Sequence, residues 1–425
     1  MRADNGWVKR LLTAAVAVLL TAAAGCATTD DRARPAGGRT LVVALDLPFQ
    51  GAASDTSESV ANAADIYLDE IGAMAGPYRI ELRRYDNATA TKGSWDDATC
   101  VRNATDHVAA TDEVAVLGAA NSGCTKLQLP TLNQDPAGPM LMVSHSNTNP
   151  GLTKPWEQGE PEKYFPTGRR GYARVITTDE YQGAAAAQFA ARDLKVGRCA
   201  VLHDNQTYGQ GVAEAFAEEA ARQGVTVLDR GAWDARATTY TALFQAVKAT
   251  DADCVFLSGI YDNNGGQLVK DKVAVLGPNS GAVPLIVPDG FFGFRDFQRL
   301  PAAEGAYLTF GGLGLAQMKA AGGAAARLLA DYRARHGSEP ASAYALYGVQ
   351  ALQVILAAVA RSDGSRRGVR DQVFEGTGVS VPAAQAMLGK DVRIDPATGD
   401  VNVRDLSVLR MTGGAETFLK AWPLP

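Results

Sequence analysis

Histidine and cysteine are scarce in this sequence, four and five among 425 residues. The histidines (His107, His145, His203, His336) lie far apart and no C-x-x-C pair occurs, so the ligand spacing of a zinc site is missing. No long basic run exists either. The 41 lysines and arginines are interspersed with 46 acidic residues, for a formal charge of −5. A nucleic-acid-binding face needs clustered positive charge, and none is visible. Walker A, G-x-G-x-x-G, G-x-S-x-G, H-E-x-x-H and S-x-x-K patterns are missing in context, which argues against phosphate-cradling and common hydrolytic chemistry. His203 beside Asp204 reads as strand-end structure and not as an acid–base pair. The expectation is a protein without catalysis, cofactor or metal.

What is present is ordinary globular composition, 46% hydrophobic and 20% charged, over a length that supports two domains with a core each. The first residues depart from it. Arg2, Lys9 and Arg10 precede the uncharged run Leu11 to Ala24. That run is shorter than the about 20 residues a membrane crossing takes. A basic start, a short apolar run and small residues make a secretory signal over 1–25. Ala23-Ala24-Gly25-Cys26 resembles a bacterial lipobox, in which Cys26 becomes the lipidated first residue. Residues 26–38 are small and polar with Pro and Gly, a composition suited to a flexible tether.

Beyond the tether, short apolar runs alternate with helical periodicity. Thr40 to Leu45, Arg79 to Tyr85, Glu113 to Leu117 and Pro139 to Ser144 read as strands, with helices between them. The rhythm repeats from Cys199 to Val287. Strands alternating with helices of about ten or more residues predict βαβ units and parallel sheets. Two series predict an α/β fold of two doubly wound lobes. Tyr307 to Gly314 is expected to cross between lobes, Ala320 to Arg335 and Tyr344 to Arg361 to be long helices, and Leu406 to Met411 the last strand. In such sheets ligands sit outside the carboxyl ends of the strands. Two loops there carry short polar side chains: Gly118 to Thr125, and Ser144 to Thr153. A helix start following the first is a carboxylate site in principle, although Ser122 or Thr125 could equally cap the helix.

In order, VLGAANSGCTKLQLP, MLMVSHSNTNPGLT, YQG, CAVLHDNQTYGQG, DCVFLSGIYDNNGGQLV, LIVPDGFFG and RIDPATGD resemble the type I periplasmic binding proteins, in particular the leucine/isoleucine/valine-binding receptors of ABC transporters. The resemblance runs from about Thr40 to Gly413. It implies one lobe from residues 39–177 plus 313–393, a second from 178–312 plus 394–425, and a multi-strand hinge. It also implies that Ser122 and Thr148, with the backbone at Ser146 and neighbouring Asn147, hold the α-carboxylate of an amino-acid-like ligand. Tyr208 then matches a cleft tyrosine, Tyr261 or Ile260 falls where another is expected, and Asp289 matches an acidic residue that meets the ligand ammonium. Thr178 and Asp179 lie on the crossing, within reach of ligand.

The same resemblance places Cys100 near Cys124 and Cys199 near Cys254. Each pair is either a disulfide or two buried thiols, and Cα separation decides. The insertion 154–170 reads as surface decoration. Together these readings describe an extracytoplasmic, lipid-anchored monomer that captures a small solute for an ABC permease. The alternative is a sensor module of the same fold that signals through a partner.

Overall fold

The computed structural model describes residues 38–423. The expected leader, residues 1–25, and the expected lipid attachment at Cys26 lie outside the described residues. Strand β1 (Thr40–Leu47) is buried from its second residue onward, as an apolar run covered on both faces of a parallel sheet should be. It pairs with β3 (Tyr78–Asp86) and β4 (Glu113–Gly118). The hairpin strand β2 (Met74–Ala75), β5 (Leu141–Ser144) and β6 (Tyr172–Arg174) complete a six-stranded sheet ordered β2-β3-β1-β4-β5-β6. Every pairing is parallel except that of β2 with β3.

The second sheet has β7 (Arg198–His203), β8 (Thr226–Ala232), β9 (Cys254–Ser258), β10 (Leu285–Val287) and β11 (Tyr307–Phe310). The chain then returns to the first sheet. The helix Tyr344–Arg361 buries fifteen of its eighteen residues against the helix Ser54–Glu70 and strands β4 and β5. By length and composition that helix could cross a membrane, but here it is a core helix. A small ladder, β12 (Ser380–Val381) with β13 (Val392–Arg393), follows. Strands β14 (Ser407–Thr412) and β15 (Ala415–Ala421) then close the second sheet, ordered β15-β14-β11-β10-β9-β7-β8, as an antiparallel edge.

Three chain segments connect the sheets and bind one another. The Thr177 amide donates to the Gly311 carbonyl at 3.2 Å. The Thr177 hydroxyl donates to Asp405 O at 2.8 Å, and Ser407 Oγ to Gly312 O at 2.7 Å. The fold is therefore two parallel-sheet lobes on a three-segment hinge.

Several local expectations differ. Residues 307–310 are strand β11, and the crossing begins only at Gly311. The helix expected over 320–335 is two, Leu315–Ala321 and Gly323–His336. Gly322 and Gly323 both adopt positive φ between them, a conformation open to glycine that ends a helix. The sulfurs of Cys100 and Cys124 lie 2.01 Å apart with Cα atoms at 5.5 Å. Cys199 and Cys254 sit directly opposite each other on neighbouring strands, Cα atoms 4.4 Å apart, and are likewise joined. The insertion 154–170 does more than decorate. Tyr164 and Phe165 are buried with Leu129 and Leu132, and Lys126 pairs with Glu160 at 2.7 Å.

A buried polar network underlies the first lobe. His107 bridges Glu113 Oε2 at 2.8 Å and Asp46 Oδ2 at 3.0 Å. Gln128 and Asn87 also donate to Asp46, and Arg83 to Glu113. Burial alone would lower the His107 pKa, but the two carboxylates outweigh it and raise it to about 9. The two acidic side chains thus favour the charged form of the ring.

Candidate functional site

The loops at the carboxyl ends of both sheets converge, as the doubly wound topology requires. From the first lobe come the segment after β4, which opens the helix Ser122–Asn133, and the segment after β5. From the second come Tyr208 on the helix Thr207–Arg222 and the loops after β9 and β10. Between them lies a cavity of about 80 Å³, lined by Ser122, His145, Ser146, Tyr208, Ile260, Asp262, Asp289, Phe292, Phe294 and Tyr344 among others.

One pole consists of hydroxyls and a helix start. Asn121 precedes the helix Ser122–Asn133 with extended backbone and no side-chain cap, so first-turn amides are not consumed by the side chain that usually takes them. Neither Ser122 nor Thr125 caps. Ser122 Oγ accepts the Asn149 amide at 3.4 Å, and Thr125 donates to Asn147 Oδ1 at 2.6 Å. Ser146 Oγ donates to Ala120 O at 2.9 Å, which ties the two loops together. His145 is buried beside them and burial lowers its pKa to about 3, so it is a neutral ring at this pole. The loop rests on Arg174, fully buried, whose guanidinium donates to the carbonyls of Asn147 and Asn149 at 3.2 and 2.7 Å.

The opposite pole is acidic. Asp289 is 2% exposed. It accepts from the hydroxyl of Tyr208, and from that of Tyr344 at 3.1 Å. Burial raises its pKa and those two hydroxyls moderate the rise. Gly290 follows, and its amide donates to the Tyr208 oxygen at 2.9 Å. A Cβ there would stand 2.1 Å from Gly259 O, so only glycine lets the two second-lobe loops approach this closely. Asp179 is fully buried nearby, its amide bonded to Thr148 O at 2.9 Å. Neither of its carboxylate oxygens has a donor among the described residues. Burial, then the charge of Asp289, raises its pKa well above the usual carboxylate range. Asp262 lines the cavity from the loop after β9. Its Oδ1 also has no donor, and burial raises its pKa to about 7.

Of the residues singled out in the sequence, Ser122, Ser146, Tyr208 and Asp289 line this one cavity. Thr148 is buried next to it with an unpartnered hydroxyl. Two are used differently. Asn147 is buried, donating to the carbonyls of Ala119 and Ala120 at 2.9 Å each, and so braces the first loop. Tyr261 turns into a cluster with Phe291, Phe294 and Phe297, and Ile260 takes the cavity position. Sequence reasoning missed Asp262, His145, Tyr344 and the pair Phe292 and Phe294. The run GFFGF behind Asp289 was a readable signal for that pair. Tyr344 comes from a core helix more than fifty residues later in the chain, and nothing local marks it. The lobes also touch directly: Thr56 Oγ1 donates to Gly293 O at 3.3 Å, and Asp55 meets Arg295 at 3.3 Å.

Comparison with known proteins agrees with this architecture. The profile described as "Periplasmic binding protein" matches residues 40–415. An amino acid binding protein of Pseudomonas aeruginosa is 26% identical over 233 residues, 53% of this chain and 55% of that protein. The chain spans about half the length of the curated relatives it matches. The crystal structure of a leucine binding protein from Thermotoga maritima superposes with a TM-score of 0.72 at 22% identity, covering 90% of this chain and 98% of that one. A solute binding protein of an ABC transporter from Rhodopseudomonas palustris, in complex with p-hydroxybenzoic acid, gives 0.73 at 14% identity over 90% and 97%. With a profile match across both lobes and their hinge, the chain belongs to the periplasmic binding proteins, a family of receptors and not of enzymes, in the type I architecture of the leucine/isoleucine/valine-binding group.

Proposed function

We propose that this protein captures an α-amino acid or a closely related small polar solute outside the cytoplasm and delivers it to an ABC permease. The observation that carries the reading is the opposition of two poles across one cavity. The Ser122 and Ser146 end suits a carboxylate, and Asp289 between Tyr208 and Tyr344 suits an ammonium. An ammonium removed from water must meet an anion, and a carboxylate must meet donors. Lipid on Cys26 and the tether 26–38 hold a monomeric receptor near its permease, with lobes divided near residues 177, 312 and 393.

Isothermal calorimetry against a panel of amino acids tests the capture. Binding is expected for at least one, with losses of about a hundredfold in Asp289→Asn and about tenfold in Ser122→Ala, in line with about 1.5–3 kcal/mol for a hydrogen bond to a charged group. If no amino acid binds, the reading is lost. Metabolic labelling with palmitate, compared between the parent and Cys26→Ser, tests the anchor.

A further inference from the structure

The charge of the cavity walls is not that of a receptor for a simple zwitterion. Asp289 and Asp262 both line the cavity, and no lysine or arginine does among the described residues. His145 is buried and neutral. A zwitterionic amino acid brings one carboxylate to the Ser122 end and one ammonium to Asp289. Nothing then remains for Asp262, whose buried Oδ1 has no donor among the described residues. Leaving that buried oxygen without a donor once ligand fills the cavity is costly. Ile260, Phe292 and Phe294 line the same cavity and are apolar, a surface along which the methylenes of a long cationic side chain pack. A benzoate-like acid would fit worse than a zwitterion, since it adds negative charge to an already negative wall.

We infer that the cleft selects an amino acid bearing a second positive charge, with Asp289 receiving the α-ammonium and Asp262 the side-chain cation. This rests on the amino-acid reading above and narrows it. The class is the basic amino acids, with arginine and lysine as the accessible probes.

The test is calorimetry on the exported protein, purified in mild detergent, with L-arginine, L-lysine, L-leucine and 4-hydroxybenzoate. Arginine or lysine is expected to bind at least tenfold more tightly than leucine. In Asp262→Asn the ratio of basic to leucine affinity should fall at least tenfold. Asp262→Glu should keep most of the preference, and thermal melts of both variants should show a folded protein. If leucine binds as tightly as both basic amino acids, the inference is overturned while amino-acid capture stands. The same holds if Asp262→Asn leaves the ratio unchanged within twofold. If 4-hydroxybenzoate alone binds, both readings fall.

Discussion

Asp179 holds a fully buried carboxylate with no donor in full hydrogen-bond geometry among the described residues. Because burial raises its pKa well above the ordinary value, the folded protein retains a proton that the unfolded chain releases. The associated stability is present below about pH 4, the unfolded value, and is lost as pH rises toward the folded value. Asp179→Asn should therefore melt higher than the parent at pH 8, by about 1–3 kcal/mol, with the gap closing near pH 4. Differential scanning calorimetry at both pH values decides this. His107 has the same pH sign, but there the proton creates the charge instead of removing it. Raised to about 9, its charge stabilises the fold fully below about pH 6.5, and that contribution disappears as pH passes 9. His107→Gln leaves Asp46 and Glu113 without their shared cation, so it should cost about 3–5 kcal/mol at pH 7 and less at pH 10, read by urea unfolding. At this scale the sequence was legible where chemistry is local. Ser122, Ser146, Tyr208 and Asp289 follow strands in recognisable loops. Asn147 and Tyr261 sit in equally suitable loops, and only packing decides that one braces a carbonyl pair and the other joins an aromatic cluster.

Elements were readable in proportion to their length and burial. Strands β1, β4 and β9 are continuous apolar runs that bury both faces, and they stand out. Strand β6 has three residues and includes the buried Arg174, while most of β15 is exposed at an edge, so neither carries a hydrophobic signature. The two glycines at 322 and 323 were visible, yet alanines on both sides spoke for an unbroken helix. The helix Ser122–Asn133 is where element and site meet. Cys124 in its first turn is joined to Cys100 on the helix Asp97–Ala109 across a separation of 24 residues. In the chain-entropy picture that link contributes about 3 kcal/mol. The double variant Cys100→Ala, Cys124→Ala is expected to lose about that much in guanidinium unfolding. Because the link holds the start of the helix, the variant should also bind its amino acid more weakly.

At the level of the whole molecule, two lobes share one cavity, and residues of both touch Asp289: Tyr208 from its own lobe and Tyr344 from the other. Ligand that engages both lobes favours the closed arrangement over open ones. Small-angle scattering should show a smaller radius of gyration with saturating ligand, and the melting temperature should rise with ligand concentration. The alternation of strands and helices made this two-lobe plan legible, since it dictates parallel sheets. The three hinge segments were harder to read because they pair residues more than two hundred positions apart, as Thr177 with Asp405. The late return of the chain also shapes how the molecule is made. A growing polypeptide that has emerged only to residue 312 possesses every strand of the first sheet but not the helix Tyr344–Arg361 that covers it. The second sheet is unfinished at that point as well, because β14 and β15 come last, while the first lobe waits with an apolar face bare. Vectorial synthesis thus leaves both lobes incomplete until about the last fifth of the chain arrives.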